Sequence, residues 1–148
     1  MYSLASIQRA AAPWRAAFTL ASCAAANVHA ADLTVHVKGL RAPQGLTLVA
    51  LYSSADTFLK PGRHQVAQGI PVKGDSATVV FRDLPAGRYA LTAFHDENGN
   101  GRLDINMLGG NVEPVGFSND AFGNAAPPSF DKAALDFSSD AVITINLH

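Results

Sequence analysis

The chain has a single cysteine, Cys23, and none from residue 31 onward. A domain built from that later stretch therefore has no disulfide staple and no thiolate chemistry. No apolar run is long enough to span a membrane; the 16–26 stretch is too short and too weakly apolar. The histidines show no His-x-His or His-x3-His spacing, so the usual transition-metal pattern is missing, and they read as scattered surface groups. Amphipathic helical periodicity is absent as well. The net charge is −1 over 148 residues, which implies no broad electrostatic surface.

Residues 1–30 read as removable. Arg9 and Arg15 supply a positive n-region, 16–26 a short apolar h-region, and Val28-His29-Ala30 ahead of Ala31 an A-x-A-like cleavage site. The expectation is a secretory signal peptide at 1–30, an exported product that is periplasmic or secreted, and one domain at 31–148. A second processing route stays open. Leu20-Ala21-Ser22-Cys23 resembles a bacterial lipoprotein box, in which Cys23 becomes a lipid anchor.

The remaining 118 residues are enough to bury one core without staples. Leu33, Val35 and Val37 alternate with Thr34, His36 and Lys38, a half-buried strand over 32–40. Further β-rich runs fall at 46–52, 66–72, 77–81, 88–94 and 141–147, separated by turn residues such as 41–45, 73–75 and 83–87. Pro71 assigns 66–72 to an edge, and Thr57-Phe58-Leu59 tucks an aromatic under the sheet. The fold class expected is all-β, an antiparallel β-sandwich of about seven strands, transthyretin-like or Ig-like. One stretch does not fit a short connection. Residues 96–140 show no clear strand, yet Phe117, Phe122, Phe130, Leu135 and Phe137 make them too apolar for disorder. They are expected to fold over one end of the sandwich, with a short helical turn within 131–137.

The strongest chemical pattern opens that stretch: Asp96-Glu97-Asn98-Gly99-Asn100-Gly101-Arg102-Leu103-Asp104. Asp96, Asn98 and Asn100 occupy alternate positions of a tight loop, Gly101 permits the sharp turn, and the Arg102 carbonyl and Asp104 carboxylate follow at EF-hand spacing. Hard cations such as Ca²⁺ take six to eight oxygens, which this set begins to supply. The twelfth position holds Met107 in place of a bidentate Glu, and a strand precedes the loop where an EF-hand has a helix. The closing carboxylate must come from further along, with Glu113 and Asp120 nearest. Beside this stands the reading of an ion-free turn, since Asx-Gly steps are ordinary turn chemistry. Charge placement favours the cation. Residues 31–95 hold seven Lys/Arg against four Asp/Glu, whereas 96–148 hold two against eight, which also argues against nucleic acid as a partner.

Phe81-Arg82-Asp83-Leu84-Pro85-Ala86-Gly87-Arg88-Tyr89-Ala90-Leu91 resembles the penultimate-strand pattern of transthyretin-like and collagen-adhesin B-type (CnaB-like) sandwiches. Joined to the Asp96 loop, Glu113, Gly116-Phe117-Ser118-Asn119 and Pro127-Pro128-Ser129-Phe130, the chain resembles the bacterial exported proteins grouped as DUF2141. That resemblance implies the sandwich fold and export, and no activity. It departs in one place: Gly110-Asn111-Val112 stands where such proteins commonly carry Gly-x-Pro before the Glu. A hydrolytic site from His95, Asp96 and Ser118 or Ser129 is the enzymatic alternative, weakened because neighbouring strand residues face opposite ways. The reading adopted is a non-enzymatic exported module with a structural Ca²⁺ loop at Asp96, Asn98, Asn100, Arg102 and Asp104, closed by Glu113, that meets an unnamed protein or cell-envelope partner.

Overall fold

The computed structural model describes residues 30–122 and 126–148. The expected signal peptide and the Cys23 anchor lie outside the described residues, although β1 (Ala30–Lys38) already takes in Ala30. Along β1 the side chains alternate as the sequence predicts, with Leu33, Val35 and Val37 buried and Thr34 and His36 partly exposed. This strand is the middle of a three-stranded sheet, between β4 (Ser76–Pro85) and β8 (Ala141–Asn146). The second sheet runs β3 (Val66–Pro71), β2 (Leu46–Tyr52), β5 (Gly87–Asp96), β6 (Val115–Phe117), and β7 (Leu135–Phe137) pairs with the first residues of β5. Between the sheets lies a core that includes Leu33, Val35, Val79, Phe81, Leu91 and Ile145.

The sandwich thus has eight strands, and three features differ from the sequence expectation. First, β1 and β8 run parallel, from Leu33 opposite Ala141 to Lys38 opposite Asn146. The chain reaches β8 only after the 96–140 stretch, long enough for the crossover that a parallel pair requires. Second, that stretch contains β6, a 3-10 turn at Ser118–Asp120, α1 (Phe130–Ala133) and β7. Strands of three residues carry too few side chains to show a period, so 135–137 read as helix when it is strand. Third, 83–87 is not one turn. β4 continues to Pro85 through a bulge at Asp83, whose φ of 55° absorbs the extra residue. Asp32 holds the bulge: Oδ1 accepts from the Asp83 N–H (3.1 Å) and Oδ2 pairs with Arg82 (3.0 Å). Pro71 does end an edge strand, as β3 has β2 on one side alone.

A second apolar cluster sits on the outer face of the five-stranded sheet. Phe58 stands edge-on to Tyr52 at 5.4 Å and to Phe130 at 5.9 Å, and Ala90, Phe117 and Ala133 complete the group. The long segment therefore covers one end of that face with its own aromatics, as its composition suggests. Toward the other end, Leu48, Ala50 and Phe94 stay half-buried.

Candidate functional site

The last two residues of β5, His95 and Asp96, are both fully buried. His95 is not one of a set of surface histidines. Its Nε2–H donates to the Gln44 carbonyl at 2.7 Å, and its Nδ1 accepts from the Arg41 N–H at 3.3 Å, so the ring latches the 41–44 turn to β5. Opposite His95 in register is Thr47 on β2. The Thr47 hydroxyl is the one buried side-chain polar atom among the described residues that lacks a hydrogen-bond partner. Gly45 closes the same corner, because a Cβ there would run into the Asp96 carbonyl, and its φ of +81° suits glycine.

Asp96 organises the loop that follows. Its Oδ1 accepts from the N–H groups of Gly99 (2.7 Å) and Asn100 (3.1 Å), and its Oδ2 from that of Gly101 (2.7 Å). Gly99 and Gly101 adopt φ of +73° and +76°, which lets successive amides turn inward. Asn98 and Asn100 repeat the device on a smaller scale: Asn98 Oδ1 accepts from the Asn100 N–H (3.0 Å) and Asn100 Oδ1 from the Arg102 N–H (2.8 Å). On the open side three side chains meet. The Asn98 amide lies 2.6 Å from Asp104 Oδ2, and the Asn100 amide lies 3.0 and 3.2 Å from the two Asp104 oxygens.

Glu113 closes the loop from below. It is 4% exposed, and its carboxylate accepts from the Glu97 N–H (2.9 Å) and the Asp104 N–H (3.1 Å), tying the two ends of the loop together. The hairpin between Asp104 and Glu113 brings it there, with the Val112 N–H on the Asp104 carbonyl (2.9 Å) and a bridge between Ile105 and Asn111. Val112, where a proline stands in the resembling proteins, supplies that N–H, and Arg41 caps the Val112 carbonyl at 3.1 Å. Asp120, the other candidate, is engaged elsewhere: Asn146 holds both of its oxygens at 3.0 and 3.1 Å. Met107 is fully exposed at the hairpin tip.

Asp96, Asp104 and Glu113 make no ion pair among the described residues. Nor do three His, Cys, Asp or Glu side chains close on one point among those residues. A cation here would draw on the amide oxygens of Asn98 and Asn100 and the Arg102 carbonyl as much as on carboxylates. His95 and Ser118, the side chains from which a hydrolytic site was drawn, are committed to backbone. Ser118 Oγ accepts from the Leu91 N–H at 2.9 Å and donates to the Ala133 carbonyl. It fills the gap on β5 between the β7 pairing, which ends at Tyr89, and the β6 pairing, which begins at Thr92. Ser129, by contrast, is exposed ahead of α1.

The Gly-Phe-Ser-Asn run is thus a docking device whose role the sequence did not disclose. Gly116 has no room for a Cβ against the Asn146 carbonyl, Phe117 is buried, and Asn119 bonds the Ala134 carbonyl at 2.9 Å from a φ of 61°. This two-sheet sandwich with its acidic loop belongs to the family described as an uncharacterized protein conserved in bacteria (DUF2141), whose model matches residues 35–146. No curated protein and no solved structure matches the chain.

Proposed function

We propose that the protein is an exported, non-enzymatic binding module whose sandwich carries a calcium (Ca²⁺) loop built on Asp96, Asn98, Asn100, Arg102 and Asp104 and closed by Glu113. One observation carries the reading: the amides of Asn98 and Asn100 converge on the Asp104 carboxylate within 3.2 Å. Rotating each amide about its last bond brings oxygen to that point in place of nitrogen, in exchange for the bonds from the Asn100 and Arg102 N–H groups, and Ca²⁺ takes such mixed carboxylate, amide and carbonyl oxygens. The surroundings support it, since the buried carboxyl groups of Asp96 and Glu113 pair with no cationic side chain among the described residues. The ion would act structurally, neutralising the loop and adding its binding energy to folding stability. Exported modules hold Ca²⁺ with Kd of about 10⁻⁴–10⁻³ M. The ordered surface would then meet a protein or cell-envelope partner.

Thermal unfolding of the chain from Ala31 onward, in EDTA and then in millimolar Ca²⁺ or Mg²⁺, tests this. Saturation tenfold to a hundredfold above Kd stabilises by about 1.4–2.7 kcal/mol, or roughly 5–15 °C in Tm. Asp96→Ala is a poor control, because it strips three amides of their acceptor whether or not an ion binds. Asp104→Ala is the better one, expected to abolish the Ca²⁺-dependent rise. A second reading also has an observation behind it. Five backbone N–H groups already satisfy Asp96 and Glu113, which suits an ion-free sandwich that binds a protein partner. Identical Tm in EDTA and Ca²⁺ would select that reading.

A further inference from the structure

A groove of about 620 Å³ crosses the outer face of the five-stranded sheet, between the β2–β3 loop and the Gly101–Leu103 side of the acidic loop. Its volume lies in the range of small-molecule sites. The floor is apolar, made by Leu48 and Ala50 of β2 and Phe94 of β5. These are the half-buried residues that the long segment leaves uncovered.

One cationic side chain, that of Arg102, stands beside this floor with neutral hydrogen-bonding groups around it. Arg102 stands on one wall and His64 on the other, both exposed, and no Asp or Glu among the described residues lines the groove. In a stretch, 96–148, with eight Asp/Glu against two Lys/Arg, Arg102 makes no ion pair among the described residues. Tyr52 is a third polar group. Its residue is 6% exposed and it lines the groove beside His64, with ring centroids 6.5 Å apart. No hydrogen bond engages its hydroxyl among the described residues, whereas the Tyr89 hydroxyl donates to the Pro85 carbonyl at 2.8 Å. That hydroxyl reaches solvent, so it is free to donate to a ligand in the groove. An apolar trough with a guanidinium, an imidazole and a free phenol at its margin complements a ligand with an apolar body and an anionic head. Arginine offers a planar fork that matches a carboxylate.

We propose that this groove binds a small apolar monocarboxylate, its hydrocarbon body on Leu48, Ala50 and Phe94 and its carboxylate between Arg102 and the Tyr52 hydroxyl. The proposal stands on the groove, not on the cation loop, and names a ligand class that the module reading leaves open. Calorimetric titration of the protein with decanoate below its micellar concentration, with 4-phenylbutyrate and with decanol tests it, each in EDTA and in Ca²⁺. Decanoate or 4-phenylbutyrate is expected to bind with Kd below about 1 mM, and which of them binds tighter distinguishes an aliphatic from an aryl ligand. Decanol is expected to bind at least tenfold more weakly. Arg102→Gln, an exposed substitution that leaves the fold in place, is expected to weaken carboxylate binding about tenfold and leave decanol unchanged. Ala50→Leu, which fills the floor, is expected to remove binding of both. Equal affinity for acid and alcohol, or no change in Arg102→Gln, overturns the proposal. So does failure of both acids to bind in either condition, which would leave the trough to a macromolecular partner. Binding in EDTA keeps the proposal whatever the cation test returns.

Discussion

At the level of single residues, buried polar groups separate structural roles from chemical ones. His95 spends both ring nitrogens on the backbone of Gln44 and Arg41. Replacing it with alanine takes the partner from the Gln44 carbonyl and the Arg41 amide and opens a cavity at a fully buried site, so a loss of about 2–5 kcal/mol is expected in urea unfolding. A loss under about 0.5 kcal/mol would contradict the latch. Thr47 gives the opposite sign. Its hydroxyl is buried without a partner, and Thr47→Val keeps the shape while removing the unmet group, so stability is expected to rise by about 1 kcal/mol. Tyr52 sets a pH dependence. Burial raises its phenol above the ordinary value of 10.0, so the folded chain keeps a proton that the unfolded chain releases. Its contribution is complete below pH 10.0 and is lost as the pH rises through the higher folded value. Urea midpoints measured on both sides of that pH should show the decline, and Tyr52→Phe should flatten it. None of these roles was legible from residue type. His95 read as a surface histidine because nothing local marks a ring whose partners are fifty residues away.

At the level of elements, β5 is where sequence and structure agree most and also where they part. Its inward face, Tyr89, Leu91 and Ala93, follows from simple alternation. What pairs beside it does not, since β6 and β7 are three residues each and are placed by Ser118 rather than by their own periodicity. Ser118→Ala is expected to cost about 1–3 kcal/mol, because the Leu91 N–H and the Ala133 carbonyl lose their partner inside the fold. Amide exchange at Leu91 should quicken selectively. Unchanged protection there would show that the gap is closed by something else. The acidic loop was more legible. Asx-Gly steps favour side-chain to backbone bonds of the kind Asp96, Asn98 and Asn100 make, but the alternation did not reveal that Asp96 turns to those amides while Asn98 and Asn100 meet Asp104. Which distant carboxylate returns was not readable. Glu113 and Asp120 are both acidic, and a short hairpin decides between them in favour of Glu113.

At the level of the whole molecule, the two-sheet sandwich emerged from turn spacing and period-two strands, while the parallel β1–β8 pair did not. Antiparallel and parallel neighbours look alike in a single strand's sequence, and the crossover length that separates them was hidden in a segment without clear elements. That segment covers one end of the outer face with Phe117 and Phe130, and leaves the other end as a trough bordered by Arg102 of the acidic loop. The acidic loop and the trough therefore share a wall, so a cation bound as proposed, ordering Gly101–Leu103, would also order the trough. The proposed metal site at Asp96 to Asp104 is tested most directly by calorimetric titration of Ca²⁺ into metal-stripped protein. One site per chain with Kd at or below about 10⁻³ M, absent in Asp104→Ala while that variant stays folded, is the predicted result. No heat of binding in the wild-type protein, or the same isotherm in Asp104→Ala, would contradict it.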